Sequence, residues 1–167
     1  MNNPAPHPDE KSSCELVAAC GGFVTHESEE DFARVSSINL QGAKLTDDNL
    51  LMLSVMPKLT TMTLGYTEIT DRGIEVLRRF ESLSYLWLWG TGITDASYDT
   101  LISIPKLQLL NVEETKVTVG CSQRISSQIH NCLVCIDRNR AAMNGKIESD
   151  NAFDIWLNRD GSAKHVG

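Results

Sequence analysis

The chain has 167 residues, 41% hydrophobic, 22% charged and 6% aromatic. That fits one domain with a real core and excludes disordered, collagen-like and disulfide-scaffold compositions. Fifteen basic against 22 acidic residues leave a net charge of −7, which argues against nucleic acid or an anionic membrane as partner.

Residues 1–9 are expected to be disordered, and their composition, MNNPAPHPD, carries neither a basic nor an apolar signal region. Residues 10–20 (EKSSCELVAAC) suit a short amphipathic helix with Ser12 or Ser13 as N-cap and Glu15 in the first turn. Gly21 and Gly22 stop it, and Phe23–Thr25 reads as a strand. The acidic run Glu27–Asp31 reads as a solvated loop. Five cysteines, Cys14, Cys20, Cys121, Cys132 and Cys135, make an odd count. A reducing compartment is the simpler reading, so a cytoplasmic location is expected. Cys132 and Cys135 have redox or half-zinc spacing but lack a second pair or a nearby histidine, and they sit in an apolar, strand-like run. They are expected to be packing cysteines, with no metal and no cofactor.

From Val35 onward the sequence repeats every 24 residues. Val35, Leu59, Leu83 and Leu107 open the blocks. Ile38/Met62/Leu86/Leu110, Leu40/Leu64/Leu88/Val112 and Leu45/Ile69/Ile93/Val117 form apolar columns. Each of the last group precedes a threonine (Thr46, Thr70, Thr94, Thr118), followed in three blocks by Asp47, Asp71 or Asp95. Later columns are Leu50/Ile74/Tyr98, Leu53/Leu77/Leu101 and Met56/Phe80/Ile104. The first half of a block alternates, which is strand spacing; the second half steps by three, which is helix spacing. The Thr-Asp pair between them reads as an N-cap, and Pro57 and Pro105 stop the helix.

The frame Leu59-x-x-Met62-x-Leu64-x-x-Thr67-x-Ile69-Thr70-Asp71 resembles the leucine-rich repeat family, in a bacterial variant of about 24 residues with a T-x-I/V-T-D-x-G signature. Gly73 supplies the glycine in one block only, and the family's Asn or Cys ladder position holds Ala43, Thr67, Thr91 and Thr115. A threonine can still offer a hydroxyl to the turn; Ala43 cannot. The resemblance implies an α/β right-handed solenoid of four to five repeats, with a parallel concave sheet and convex helices. Its domains would be an N-terminal cap at 10–34, repeats at 35–137, and a polar linker and C-terminal tail at 138–167. His130-Asn131-Cys132 and the run to Asp137 resemble the closing segment of such arrays and should give the last strand. Residues 138–152 read as an irregular linker. Phe153–Leu157 is a second apolar cluster that either docks on the last repeat or stands exposed to a partner.

If the apolar columns point inward, their strand neighbours face the other side. That face then carries Ser37/Thr61/Tyr85/Leu109, Asn39/Thr63/Trp87/Asn111 and Gln41/Gly65/Trp89/Glu113. Tyr85, Trp87 and Trp89 share one strand and are expected to expose a large aromatic patch, the residue types that dominate binding hot spots. Thr63, Asn111, Glu113 and Tyr66 complete the candidate site, with Glu114 at its rim. None of His7, His26, His130 or His165 lies in the repeats, no catalytic or phosphate-binding motif occurs, and no catalytic residue is expected. The family resemblance implies a non-catalytic, protein-binding module; a carbohydrate or small-ligand module using the Tyr/Trp strand is the alternative.

Overall fold

The computed structural model describes residues 8–26, 35–53, 56–137 and 140–149. The first nine residues' expected disorder concerns mostly positions outside that range, as do the Glu27–Asp31 loop and the Phe153–Leu157 cluster.

Eight strands form one mixed sheet in chain order: β1 (Phe23–His26), β2 (Val35–Asn39), β3 (Thr61–Thr63), β4 (Tyr85–Trp87), β5 (Leu109–Asn111), β6 (Leu133–Asp137), β7 (Arg140–Met143) and β8 (Lys146–Ser149). The strands from β2 to β6 are parallel and in 24-residue register, so Ile38, Met62, Leu86, Leu110 and Val134 stand side by side. The outer strands are antiparallel: β1 pairs with β2, β7 with β6, and β8 with β7. The sheet is therefore mixed rather than wholly parallel.

The connections between parallel strands carry short helices: α2 (Asp47–Met52), α3 (Asp71–Ile74), α4 (Tyr98–Leu101) and α5 (Val119–Gln128), preceded by α1 (Pro8–Ala19) before β1. A 3-10 stretch continues α3 over Glu75–Arg79, and another precedes α4 over Asp95–Ser97. The three-residue step of Ile74, Leu77 and Phe80 explains this, because side chains at i and i+3 eclipse in a 3-10 turn. The apolar columns are buried almost throughout and form one core between the sheet and the helices. Tyr98 is half-buried in a column otherwise held by Leu50 and Ile74, and the Arg124 guanidinium lies 4.2 Å above its ring.

Two ladders tie successive repeats together. The N–H and hydroxyl of Thr70 donate to the Asp47 carboxylate at 2.9 and 2.6 Å. Those of Thr94 donate to Asp71, both at 2.8 Å, and those of Thr118 to Asp95 at 2.7 and 2.8 Å. Each of these threonine oxygens also accepts an amide of its own first helical turn, from Arg72, Ala96 and Cys121 respectively. The Thr-Asp pair is thus an N-cap and a lateral tie at once. In the first repeat no earlier aspartate exists in the frame, and the N–H and hydroxyl of Thr46 donate to Asn49 of the same helix. The second ladder is the threonine column: the hydroxyls of Thr67, Thr91 and Thr115 each donate at 2.6 Å to the carbonyl three residues earlier.

The expectation of an irregular linker over 138–152 does not hold where it is described. β7 and β8 form a hairpin whose turn residues Asn144 and Gly145 both have positive φ, 48° and 77°. Asn-Gly is the sequence that suits such a turn, because its twist matches that of the flanking strands. The hairpin packs against α5, where the Gly145 N–H donates to Ser126 Oγ at 3.0 Å. Buried Ser122, which stands where earlier repeats carry Leu50, Ile74 and Tyr98, and buried Ser126 keep their hydroxyls bonded to the Thr118 and Gln123 carbonyls. Ile147 adds to the main core.

Candidate binding face

The sheet face turned away from the helices carries a graded surface. One row runs Thr25, Ser37, Thr61, Tyr85, Leu109, Leu133; the next runs Phe23, Asn39, Thr63, Trp87, Asn111, Cys135, Ala141. Small hydroxyl and amide side chains occupy β2 and β3, aromatic rings β4, and the apolar Leu109, Leu133, Cys135 and Ala141, with Asn111 among them, β5 to β7. Phe23, on the edge strand, is exposed.

Tyr85, Trp87 and Trp89 are only half-buried and do not form the open patch that alternation suggests. The Tyr85 and Trp87 rings stack on each other, centroids 6.3 Å apart at 24°. The Tyr85 hydroxyl donates to Gln108 Oε1 at 3.3 Å. Both rings also pack against a second apolar cluster of Leu109, Leu133, Cys135 and Ala141, with Met143 beside it. Trp89 lies on Gly65, where a Cβ would overlap its indole. Thr63 is half-buried on the polar side of Trp87.

Asn111, expected to be an accessible contact residue, is 3% exposed. Its Oδ1 accepts the Glu113 N–H at 2.9 Å, so its polarity serves the turn after β5; the same bond joins Asn39 to the Gln41 N–H. Leu109, assigned to the outer face, is on that face but buried. Alternation assigns a side to each residue and says nothing of what covers that side. Glu113 is half-buried.

Tyr66 is the most exposed member of the predicted set, at 52%. It occupies a turn column, Gly42, Tyr66, Gly90 and Glu114, in which all four residues have positive φ, between 54° and 67°. Its ring lies over Gly90, where a Cβ would overlap it, and its hydroxyl donates to Glu114 Oε2 at 2.9 Å. Tyr66 thereby bridges three consecutive repeats at the edge beside Trp89. Sequence reasoning placed Tyr66 near this rim; the alternation of glycine and large residues in the column was the signal for its span.

Cys132 faces the helices and Cys135 the opposite side. Burial pushes the Cys132 thiol up to about 12, with Cys135 adding to the rise. Burial likewise pushes Cys135 up to about 12, with the Glu113 charge adding to it. Burial, then Asp95, raises Cys121 to about 11. All three stay protonated thiols at neutral pH, the unreactive form. Among the described residues no cluster of three histidine, cysteine or acidic side chains could hold a metal ion, and no helix is long and apolar enough to cross a membrane.

Fold and face together define a mixed α/β protein with an eight-stranded sheet, helices on one side and a graded polar-to-aromatic face on the other. No known protein family matches the chain, and no curated protein matches it. Among solved structures it is similar to "Leiomodin-1 Actin-Binding Site 2 (ABS2)", with a TM-score of 0.54 and 14% identity over 80% of this chain and 81% of that one. At that identity the similarity concerns the fold.

Proposed function

We propose that the chain is a leucine-rich-repeat solenoid acting as a non-catalytic interaction module, which binds a protein partner through the sheet face opposite its helices. The 24-residue register of β2 to β6 supports the solenoid reading, and the similar fold of an actin-binding region is compatible with a protein partner. The observation that carries the functional reading is the edge formed by Trp89, Tyr66 and Glu114, held by the Tyr66–Glu114 hydrogen bond. It combines a rigid aromatic surface with an acidic rim. Such side chains lose little rotamer freedom on binding, and aromatic anchors carry much of the energy of protein interfaces. A sugar would need open ring faces, and the Tyr85–Trp87 stack takes up one face of each of those rings; the protein reading is therefore preferred.

The test is affinity capture from the native cell with wild-type protein, quantified by mass spectrometry, followed by calorimetry on the captured protein. Trp89→Ala and Tyr66→Asn are the informative variants, because asparagine tolerates the positive φ at residue 66. Each should weaken binding at least about tenfold, a hot-spot effect, while circular dichroism shows the fold retained and the thermal midpoint falls only by the amount that the lost contacts with Gly90, Glu114 or Gly65 explain. Unchanged affinity in the double variant would place the site elsewhere. Selective retention on a glycan array, with no protein captured, would favour the carbohydrate alternative.

A further inference from the structure

The turns that lead into the parallel strands carry one apolar column, Met56, Phe80 and Ile104, all buried. In the 24-residue register that sets Leu109 beside Leu133, the next member of that column is Gln128. It is polar and exposed. Between its turn and the turn before it lies a cleft of about 460 Å³, a volume within the range of small-molecule sites, about 300–1,000 Å³. Half-buried Ile102 and Ile129 and buried Leu107 give it an apolar lining. The cleft sits where β5 and β6 begin, whereas Tyr66 and Glu114 sit in turns beyond the strand ends. It is therefore separate from the partner edge.

The polar part of the lining is Lys106, Gln108, Gln128 and His130. Although the chain has 22 acidic residues, no aspartate or glutamate among the described residues lines the cleft. Among the described residues, neither Lys106 nor His130 has an ion-pair partner. Gln108 Oε1 already accepts the Tyr85 hydroxyl, so what Gln108 has left to offer is its amide N–H donors. Donors around a partly apolar lining suit an anion with an apolar body. Two features narrow the charge. Lys106 supplies a single fixed positive charge. Ile129, in the lining, is the C-cap of α5, and the carbonyl end of a helix carries partial negative charge. Both favour a monoanion over a dianion such as a phosphate monoester. We propose that this cleft binds a free small carboxylate with a short apolar body. Lys106 pairs with the carboxylate, the Gln108 and Gln128 amides and His130 supply further hydrogen bonds, and the body rests against Ile102, Leu107 and Ile129. The inference goes beyond the partner reading, and its test needs no partner.

The test titrates the isotope-labelled full-length chain with hydrocinnamate and follows backbone amide shifts by NMR. Amides of residues 102–108 and 128–131 should move saturably, with a dissociation constant of about 1–10 mM, the range that ligand efficiency allows so small an anion. Hydrocinnamamide, which keeps the body and lacks the charge, should bind at least about tenfold more weakly, because a charge-assisted bond is lost. Lys106→Ala should weaken hydrocinnamate by a similar factor. Lys106 is exposed, and the dispersion of the same spectra shows that the fold is kept. Gln128→Phe places in the column the ring that Phe80 carries one column member before Ile104, and should abolish saturation by filling the cleft. Unchanged affinity in either folded variant would overturn the proposal. So would the absence of saturable shifts, shifts centred on Tyr85 or Trp89, or equal affinity for the acid and the amide.

Discussion

Gly73 and Asp47 should depend on each other far more than either depends on its sequence neighbours. A Cβ built on Gly73 overlaps Asp47 Oδ1 and lies 3.0 Å from its Cγ and 3.2 Å from its Cα. The same carboxylate accepts two hydrogen bonds from Thr70. Asp47→Ala removes both; hydrogen bonds to a charged acceptor contribute about 1.5–3 kcal/mol each, and because the two share one carboxylate and one threonine they do not add in full, so the expected total is about 2–4 kcal/mol. Gly73→Ala gains about 1 kcal/mol of helix propensity but forces the carboxylate aside, an overpacking cost of about 1–3 kcal/mol plus part of the Thr70 bonds. The net effect is a loss of about 1–2 kcal/mol. In the Asp47→Ala background the obstructing oxygens are gone, and Gly73→Ala becomes neutral or stabilising by up to about 1 kcal/mol. The double-mutant cycle should therefore give a coupling of about 1–3 kcal/mol, beyond the roughly 0.3–0.5 kcal/mol scatter of independent sites. Urea unfolding of all four proteins, with midpoints compared at constant m, measures it. Additive single losses would refute the lateral tie between repeats.

The threonine ladder predicts a paired result: Thr91→Val loses the buried bond to the Leu88 carbonyl and about 1 kcal/mol, whereas Ala43→Thr completes the ladder and gains about 0.5–1 kcal/mol, both read from urea midpoints. For Asp95, partial burial works to raise the pKa, but the Thr118 N–H and hydroxyl bonds, with help from Cys121 and Arg124, outweigh it and hold the carboxyl below its ordinary 3.8. A depressed folded value means stability present above the unfolded pKa and lost as pH falls through the folded one. Asp95→Asn should therefore flatten the decline in urea midpoint on acidification below that pH, and an unchanged acid limb would refute the assignment. Gly145→Ala should cost about 1–2 kcal/mol, because its φ is +77° and the new Cβ would sit 3.0 Å from that of Ser127; calorimetric melting checks it.

The parallel strands and their phase were legible because the apolar columns repeat at a fixed interval, and each column residue has one place in the core. The N-caps were legible for the same reason. Their second role was not: Asp47 and Thr70 are 23 residues apart, and only stacking brings them within hydrogen-bond distance. The β7–β8 hairpin was readable from Asn144-Gly145 between short alternating runs, but its few apolar residues made the segment resemble a linker. The alternation of side chains was legible too, since Tyr85 and Trp87 flank buried Leu86. Exposure was misjudged for Leu109 and Asn111, because it depends on what lies above a residue and on side-chain bonding to a turn. Neither leaves a periodic trace in the sequence.

The turn column of Gly42, Tyr66, Gly90 and Glu114 sets a rule for how this array can grow. Tyr66 extends over the next module and needs a residue without a side chain there, and it ends on a carboxylate one module further on. The modules share a backbone but are not interchangeable parts. A tandem copy of residues 59–82 inserted after the original would set one tyrosine ring on another residue's Cβ and move the carboxylate out of reach. Lengthening by duplication is therefore blocked at this joint unless a glycine-bearing unit alternates with it, so the order of modules is itself encoded, locally, by one aromatic side chain.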